Sequence, residues 1–382
     1  MRLYEFEAKE IFKKERIPVP DGFIVSSADE PLRNIEKEFV VKSQVLIGAR
    51  GKAGGIKFVK NSAELQNAVG ELLGKNIRGL TVKKILAEEK IAIDKEFYAG
   101  AIFNRSTGKI AVIFSAQGGM EIEEVAKNNP KAVLKKEIDI LDGFTSEEAK
   151  KFISESKIDK KLNDQVAKIL TKLYEIFVKY DAEIVEINPL VVTKQGQVVA
   201  CDARMSIYDD ALPKQMKVLP EILNREDDAL TPLEKEAKKH GLGYIEMDGN
   251  IGVLGNGAGL NLTTLDMLQY VGLKPSNFLE VSGRTYDKAE KGLEIILKNP
   301  NIKMVFGNFF GCISRCDVIA EGLAGAIKKG ILPKHIPMVV AMRGNGGKEG
   351  SETLRRAGIE VYEDDETAIK RLLEILKNEH TN

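Results

Sequence analysis

The chain has 382 residues, with 57 Lys plus Arg balanced by 57 Asp plus Glu, and is 43% hydrophobic and 30% charged. That length calls for two or three domains, and the balanced charge excludes wholesale binding to nucleic acid or to an acidic membrane surface. Three cysteines, Cys201, Cys312 and Cys316, make no disulfide framework and suit a reducing cytoplasm, the compartment expected here.

The opening stretch "MRLYEFEAKEIFKKERIPVP" reads as an amphipathic, charged helix ending at prolines rather than as a secretory signal. No apolar run approaches the ~20 residues needed to span a bilayer. From about residue 21 to 104 the strand-like runs "FVVKS", "IKFVK", "KKILAEE" and "EFYAGAIFNR" surround one helix at 62–73. Between the first two lies "VVKSQVLIGARGKAGG", residues 40–55, which looks like a phosphate-binding glycine loop. A Walker loop requires G-x-x-x-x-G-K-[ST]. Here Leu46 stands where the first glycine belongs and Ala53 where the hydroxyl belongs, so that pattern fails at both ends. What remains is a strand ending on an inward-pointing Lys42, then a Gly-rich flap carrying Arg50 and Lys52. A basic surface hairpin is the plain alternative.

Beyond the turn "NRSTGK" and the strand "IAVIFSA", the run "KLNDQVAKILTKLYEIFVKYDA" sets Leu162, Val166, Ile169, Leu173, Ile176 and Tyr180 on one helical face. It leads into the hairpin "AEIVEINPLVVTKQGQVVACDARM". With the tight turn at "KQG", Thr193 faces Gln197, and the same register puts Asn188 opposite Asp202 and Glu186 opposite Arg204. Opposed residues of an antiparallel pair have Cβ atoms ~4.5–5.5 Å apart. An Asp carboxylate and an Asn carbonyl at that separation can share a hard cation such as Mg²⁺, leaving room for phosphate oxygens. A solvated polar face with an ordinary Glu186–Arg204 ion pair is the alternative, and a bulge at Pro189 would shift the register. These antiparallel pairs make the first part α+β.

The segment "MKVLPEILNREDDALTPLEKEAKKHG" reads as a linker with a short helix. After it, apolar strands near 251–254, 277–281, 302–307, 336–342 and 359–362 alternate with helices near 258–271, 286–298, 312–329, 348–357 and 365–378. That rhythm predicts an α/β domain with a parallel, doubly wound sheet. Two of its strands run into glycine loops, "GNIGVLGNGAGLNLTTLD" (249–266) and "FGNFFGCISRCD" (306–317), where backbone N–H groups and a helix start can hold an anion. A simple strand-to-helix turn would also explain each glycine. The first loop misses the dinucleotide fingerprint G-x-G-x-x-G, because Leu260 occupies its sixth position, although Glu280 lies where a ribose-binding acid would. An NAD-dependent oxidoreductase therefore stays open as a competing reading, as does a non-catalytic nucleotide-binding regulator. His240, His335 and His380 fall in linker, turn and tail. The chain thus offers places for phosphates and a metal without a residue to receive a phosphoryl group, as part of an enzyme would.

The segments "YEFEAKEIFKKERIPVP", "VVKSQV…ARGKAGG", "AQGGMEIEEVA", "EINPLVVTKQG", "DGNIGVLGNGAGL" and "GNFFGCISRCDVIAEGL" occur in this order and resemble the β subunit of succinyl-CoA synthetase, ADP- or GDP-forming, over essentially the whole chain. The resemblance implies an α+β ATP-grasp domain over residues 1–232, with a small lobe at about 21–104, and an α/β flavodoxin-like ligase domain over 240–382. It implies a nucleotide, ATP/ADP or GTP/GDP, against Lys42, Ala49, Arg50, Gly51, Glu88, Ile91 and Glu96. Mg²⁺ falls to Asn188 and Asp202. Glu186 matches a glutamate that meets a phosphohistidine loop, and the organic acid falls to Asn256, Cys312, Ile313 and Ser314. The histidine and the CoA site then belong to an α subunit as partner, with no part for nucleic acid or membrane. Three departures stand out: Ala49 for a glycine in "GGRGKAGG", "FGCISRCD" for "FGGIVRCD", and Ser282, Arg284 and Thr285 in a loop otherwise of glycines. An added Arg284 could bind a further carboxylate bidentately. Succinate is the default acid, with malate or citrate as alternatives.

Overall fold

The computed structural model describes residues 1–47, 50–156, 158–223, 230–283 and 286–379, and the chain divides into two compact units, Met1–Glu226 and Asp227–Asn382. Among the described residues no helix is long and apolar enough to cross a membrane.

The first unit holds two larger antiparallel sheets and a small two-stranded one, Asn76–Ile77 with Leu80–Thr81. One has four strands in the spatial order Gly22–Val25, Lys84–Glu89, Phe39–Gln44, Ile56–Val59. Its core includes Val41, Leu65, Val69, Ile85 and Ala87, from the strands and from the helix Ser62–Leu72. That helix starts at Asn61, whose side chain accepts a hydrogen bond from the Glu64 N–H and so satisfies one of the free donors at a helix start. The second sheet is built on the strands Ala182–Thr193, Ile93–Asn104, Lys109–Ser115 and Val133–Ile138. The helix Lys160–Lys179 packs beneath it. All six residues assigned to its apolar face, Leu162 through Tyr180, are buried, as a 3.6-residue period requires.

In the hairpin, Leu190 pairs with Ala200 and Glu186 with Arg204, which is the register set by the tight turn. Regular pairing lapses between them, where Asn188 and Asp202 lie, and the Asn188–Pro189 peptide is cis. Pro189 does cause a shift, but on the opposite edge. Against Ile93–Asn104 the register changes between Ile187 and Leu190.

The second unit is a six-stranded sheet in the order Gly243–Glu246, Asn277–Glu280, Ile251–Gly255, Met304–Gly311, Met338–Gly344, Glu360–Tyr362. All its pairs are parallel except the first, an antiparallel edge strand not foreseen from the sequence. Four residues with one buried aromatic, Tyr244, carry too little alternation to announce a strand. Each face of the sheet has its own core. Helices Ala289–Leu297 and Cys316–Lys328 supply Leu293, Ile296, Ile319 and Leu323 to one, and Ala258–Tyr270 and Asp365–Glu379 supply Leu265, Leu268, Ile369 and Leu372 to the other. The expected helix at 312–329 begins later, at Cys316, because Arg315 is still extended. Residues 312–315 are therefore loop.

Candidate active site

In the first unit a cleft of about 540 Å³ is walled by Glu5, Arg50, Gly51, Glu186, Asn188 and Asp202, among others. Behind it lies a cluster of charges. Glu5 and Lys9 sit one turn apart on the helix Glu5–Lys14, so both project from one face. Lys42 and Glu88 lie on adjacent strands, on the same face of the four-stranded sheet, with Gly22 opposite Glu88. A Cβ on Gly22 would come within 2.8 Å of the Glu88 Cβ, so the strand passes there only as glycine.

Glu5 is the hub. Its Oε1 accepts from Lys9 (2.8 Å) and Lys42 (2.9 Å), and its Oε2 from Arg50 (2.7 Å). Glu88 accepts from Lys42 at 2.5 Å and from Lys9 at 2.6 Å. The Cys201 carbonyl takes a bond from each lysine, 2.6 Å from Lys42 and 2.9 Å from Lys9. Arg50 also bonds the Ser43 carbonyl at 3.1 Å and Asp202 Oδ1 at 3.3 Å, fastening the Gly-rich flap to strand, helix and hairpin together. Three cations thus face three carboxylates. Burial pushes the Glu5 carboxyl up, but Lys42, Lys9 and Arg50 outweigh it and hold it well below the usual carboxylate range. Burial pulls the Lys42 ammonium down, and Glu5, Glu88 and Asp202 more than reverse that.

Asn188 is held by its neighbours. Its Oδ1 accepts from the Gly119 N–H at 2.9 Å, and its Nδ2 donates to the Met120 carbonyl at 2.8 Å, so it fixes the 118–121 loop along the cleft. Gly118 belongs to that loop for a steric reason, since a Cβ there would lie 2.3 Å from the Phe97 carbonyl oxygen. The Asp202 side chain is 37% exposed. Burial beside Glu5 raises its carboxyl above the ordinary value, a cost that a nearby cation would relieve. A carboxylate and an amide oxygen bordering one cleft are hard donors that fit Mg²⁺, which keeps part of its shell for water or phosphate. Among the described residues no group of three or more His, Cys, Asp or Glu could hold a metal, so these two would act without a third such ligand.

Burial also raises the Glu186 carboxyl, with Arg204, 3.8 Å away, pulling against it and Glu123 and Asp202 adding to it. Of the residues expected around a nucleotide, Arg50 and Gly51 line the cleft, while Lys42 and Glu88 lie buried in the cluster behind. Ile91, in the turn before the Ile93–Asn104 strand, and the exposed Glu96, beside Gly119, do not line it. Ala49 lies outside the described residues. Glu5 and Lys9 were missed in the sequence, where an acid and a base four residues apart on one helical face do not by themselves announce a buried cluster.

The second unit gathers its expected residues at the carboxyl ends of adjacent parallel strands, where open α/β sheets bind ligands. Asn256 is buried, and its amide pairs with the Phe310 backbone in both directions, accepting from N–H and donating to C=O at 2.8 Å each. Cys312 and Ile313 are exposed and Ser314 is buried. The Asn345 side chain donates to the Cys312 carbonyl at 3.3 Å. Gly311 and Gly344 meet back to back, where a Cβ on Gly311 would fall 2.1 Å from the Asn345 oxygen. Arg284 and Thr285 lie outside the described residues.

Residues 2–192 match the sequence pattern of the ATP-grasp domain and residues 254–373 that of the CoA-ligase domain. An ATP-grasp domain followed by a CoA-ligase domain is therefore the class of protein that this fold defines. Over 378 residues the chain is 40% identical to the succinate–CoA ligase [GDP-forming] subunit beta of Thermus thermophilus, covering 98% of both. It is also 40% identical over 379 residues to the succinate–CoA ligase [ADP-forming] subunit beta of Methanocaldococcus jannaschii, covering 98% of this chain and 100% of the relative. The chain belongs to the succinate–CoA ligase β-subunit family. In fold it is similar to the ATP citrate lyase of Methanothrix soehngenii, solved with citrate and coenzyme A, with a TM-score of 0.75 at 20% identity over 97% of this chain and 98% of that one.

Proposed function

We propose that this chain is the β subunit of an acid–thiol ligase, which with an α subunit converts succinate, CoA and a nucleoside triphosphate to succinyl-CoA, the diphosphate and phosphate. The observation that carries this reading is the end-to-end likeness, 40% identical over 98% of the chain, to subunits of that name. It favours succinate over malate or citrate and sets the oxidoreductase alternative aside.

In this reading Lys42 and Arg50 draw the nucleotide phosphates to the flap, against Ala49 and Gly51, and Glu88, Ile91 and Glu96 border the rest of the nucleotide. Asn188 and Asp202 hold Mg²⁺, which when bound offsets charge on the phosphate oxygens. The chain's own task is to fix cations where negative charge builds up, which needs no covalent step from it. Glu186 meets the partner's phosphohistidine segment, and that histidine, on the α subunit, supplies the nucleophile. Asn256, Cys312, Ile313 and Ser314 receive the acid. The free cysteines suit a reducing compartment, and the cytoplasm is the proposed place of action. The test is to co-express the chain with an α subunit and assay succinate, malate, citrate and acetate with CoA and Mg-ATP or Mg-GTP. Turnover should be highest with succinate; turnover with malate or citrate alone would overturn the assignment of the acid.

A further inference from the structure

We propose that Glu5 is the positioning residue of the phosphate site, holding the two phosphate-binding cations in place while its charge restrains how strongly they draw in nucleotide. The inference rests on the nucleotide reading above. Glu5 is the group that Lys42 and Arg50 share, one on each carboxylate oxygen, at 2.9 and 2.7 Å. Its side chain is 1% exposed, yet the residue belongs to the cleft wall. Lys42 comes from a strand and Arg50 from the flap, so without a common acceptor nothing else of opposite charge would tie the two together at that wall. Of these two cations, Glu88 pairs directly with Lys42 and Asp202 directly with Arg50.

The same geometry has an electrostatic consequence. Three buried cations against three carboxylates leave the cluster near neutrality, so an incoming phosphate meets cations whose field is already largely cancelled. Lys9 stands behind Glu5, bonded to Glu5, Glu88 and the Cys201 carbonyl, and does not line the cleft. Charge removed at Glu5 and charge removed at Lys9 should therefore act in opposite directions on nucleotide affinity. Neither change replaces a residue assigned to the phosphates. A role confined to folding would weaken binding in both cases.

The experiment is calorimetric titration of the full chain with Mg-ADP, with folding of each variant checked by thermal melting. Glu5→Gln, which leaves one net positive charge, should bind about tenfold tighter, and Lys9→Gln, which leaves one net negative charge, about tenfold weaker. Glu5→Asp keeps the charge and should not tighten binding. In the enzyme assembled with its α subunit, Glu5→Gln should lower the nucleotide KM and lower kcat as well, since Arg50 then keeps only its bonds to the Ser43 carbonyl and Asp202. Should Glu5→Gln fail to fold, the sign at Lys9 decides: unchanged or tighter binding there overturns the inference. A folded Glu5→Gln chain with unchanged or weaker affinity does so too. If the wild-type chain takes up no Mg-ADP, the nucleotide reading itself fails, and that result is separate from either sign.

Discussion

The two units prepare for anionic ligands by different physics. In the first, full charges are gathered at close range: Glu5, Glu88 and the partly exposed Asp202 against Lys9, Lys42 and Arg50, with spacings of 2.5–3.3 Å. In the second, the loops at the sheet's carboxyl edge are held by neutral bonds, Asn256 to the Phe310 backbone and Asn345 to the Cys312 carbonyl, by Gly311 packed against Gly344, and by two partly exposed ion pairs, Arg315–Asp317 and Arg343–Asp365. The difference matches the tasks proposed for them. Stabilising a transferring phosphoryl group calls for fixed positive charge, whereas holding a small acid can be left to oriented N–H groups. It also predicts that damage will look different in the two units.

The largest effect is expected in the charged unit. Lys42→Met leaves three carboxylates, Glu5, Glu88 and Asp202, against two cations, Lys9 and Arg50, and removing one partner of a buried ion pair costs about 3–5 kcal/mol. Chemical denaturation of the full chain, followed by hydrogen exchange on peptides from each unit, should show that loss in residues 1–226 and leave the second unit unaltered. An equal loss in both would mean that the two units do not differ in the way described.

This charged cluster is also where the sequence was least legible. Lys42 and Arg50 could be picked out because a Gly-rich flap surrounds them, and Asn188 and Asp202 because a tight turn at 194–196 fixes every opposed pair of the hairpin. Glu5 and Lys9 could not, because periodicity marks which residues share a helical face and not which charges that face will bury. The hidden information is tertiary: it takes the strands carrying Lys42 and Glu88 to give Glu5 its partners. In the second unit the βα alternation was plain in its apolar runs, and the predicted strands and helices lie within a few residues of those found. What escaped there was local. Gly311 and the extended Arg315 hold back the helix start to Cys316, and the short edge strand Gly243–Glu246 carries too few residues to show a period.

A middle-sized effect should separate charge from coordination inside the first unit. Asp202→Asn keeps the shape of the side chain and its acceptor for the Ala203 N–H, now 2.7 Å away, while removing the carboxylate offered to Mg²⁺. Mg-ADP affinity should fall about 10–100-fold, a scale typical of disturbed metal sites. The melting temperature should hold or rise slightly. Burial raises the folded Asp202 carboxyl above its unfolded value, so the charged form is disfavoured in the fold, and at neutral pH removing it relieves a cost. Binding of ADP without Mg²⁺ should be less affected, and equal losses with and without the metal would remove Asp202 from the metal site.

The smallest effect belongs to the second unit, and it asks whether Asn256 touches the acid or only builds the loop that does. Both ends of its amide are engaged by Phe310, so the side chain already completes a backbone pairing between two strand ends. Asn256→Ala removes two neutral hydrogen bonds, each worth about 0.5–1.5 kcal/mol, and leaves the Phe310 N–H and C=O to find water. A loss of about 1–3 kcal/mol confined to the second unit is expected, visible as faster hydrogen exchange at 304–316. Because the loop after Gly311 is the proposed acid site, loosening it should also raise the KM for succinate, with the Mg-ADP affinity of the first unit unmoved. If the stability falls and the succinate KM does not, Asn256 is a structural brace and the acid is read elsewhere. If the KM rises without any loss of stability, the amide leaves Phe310 to bind the acid directly.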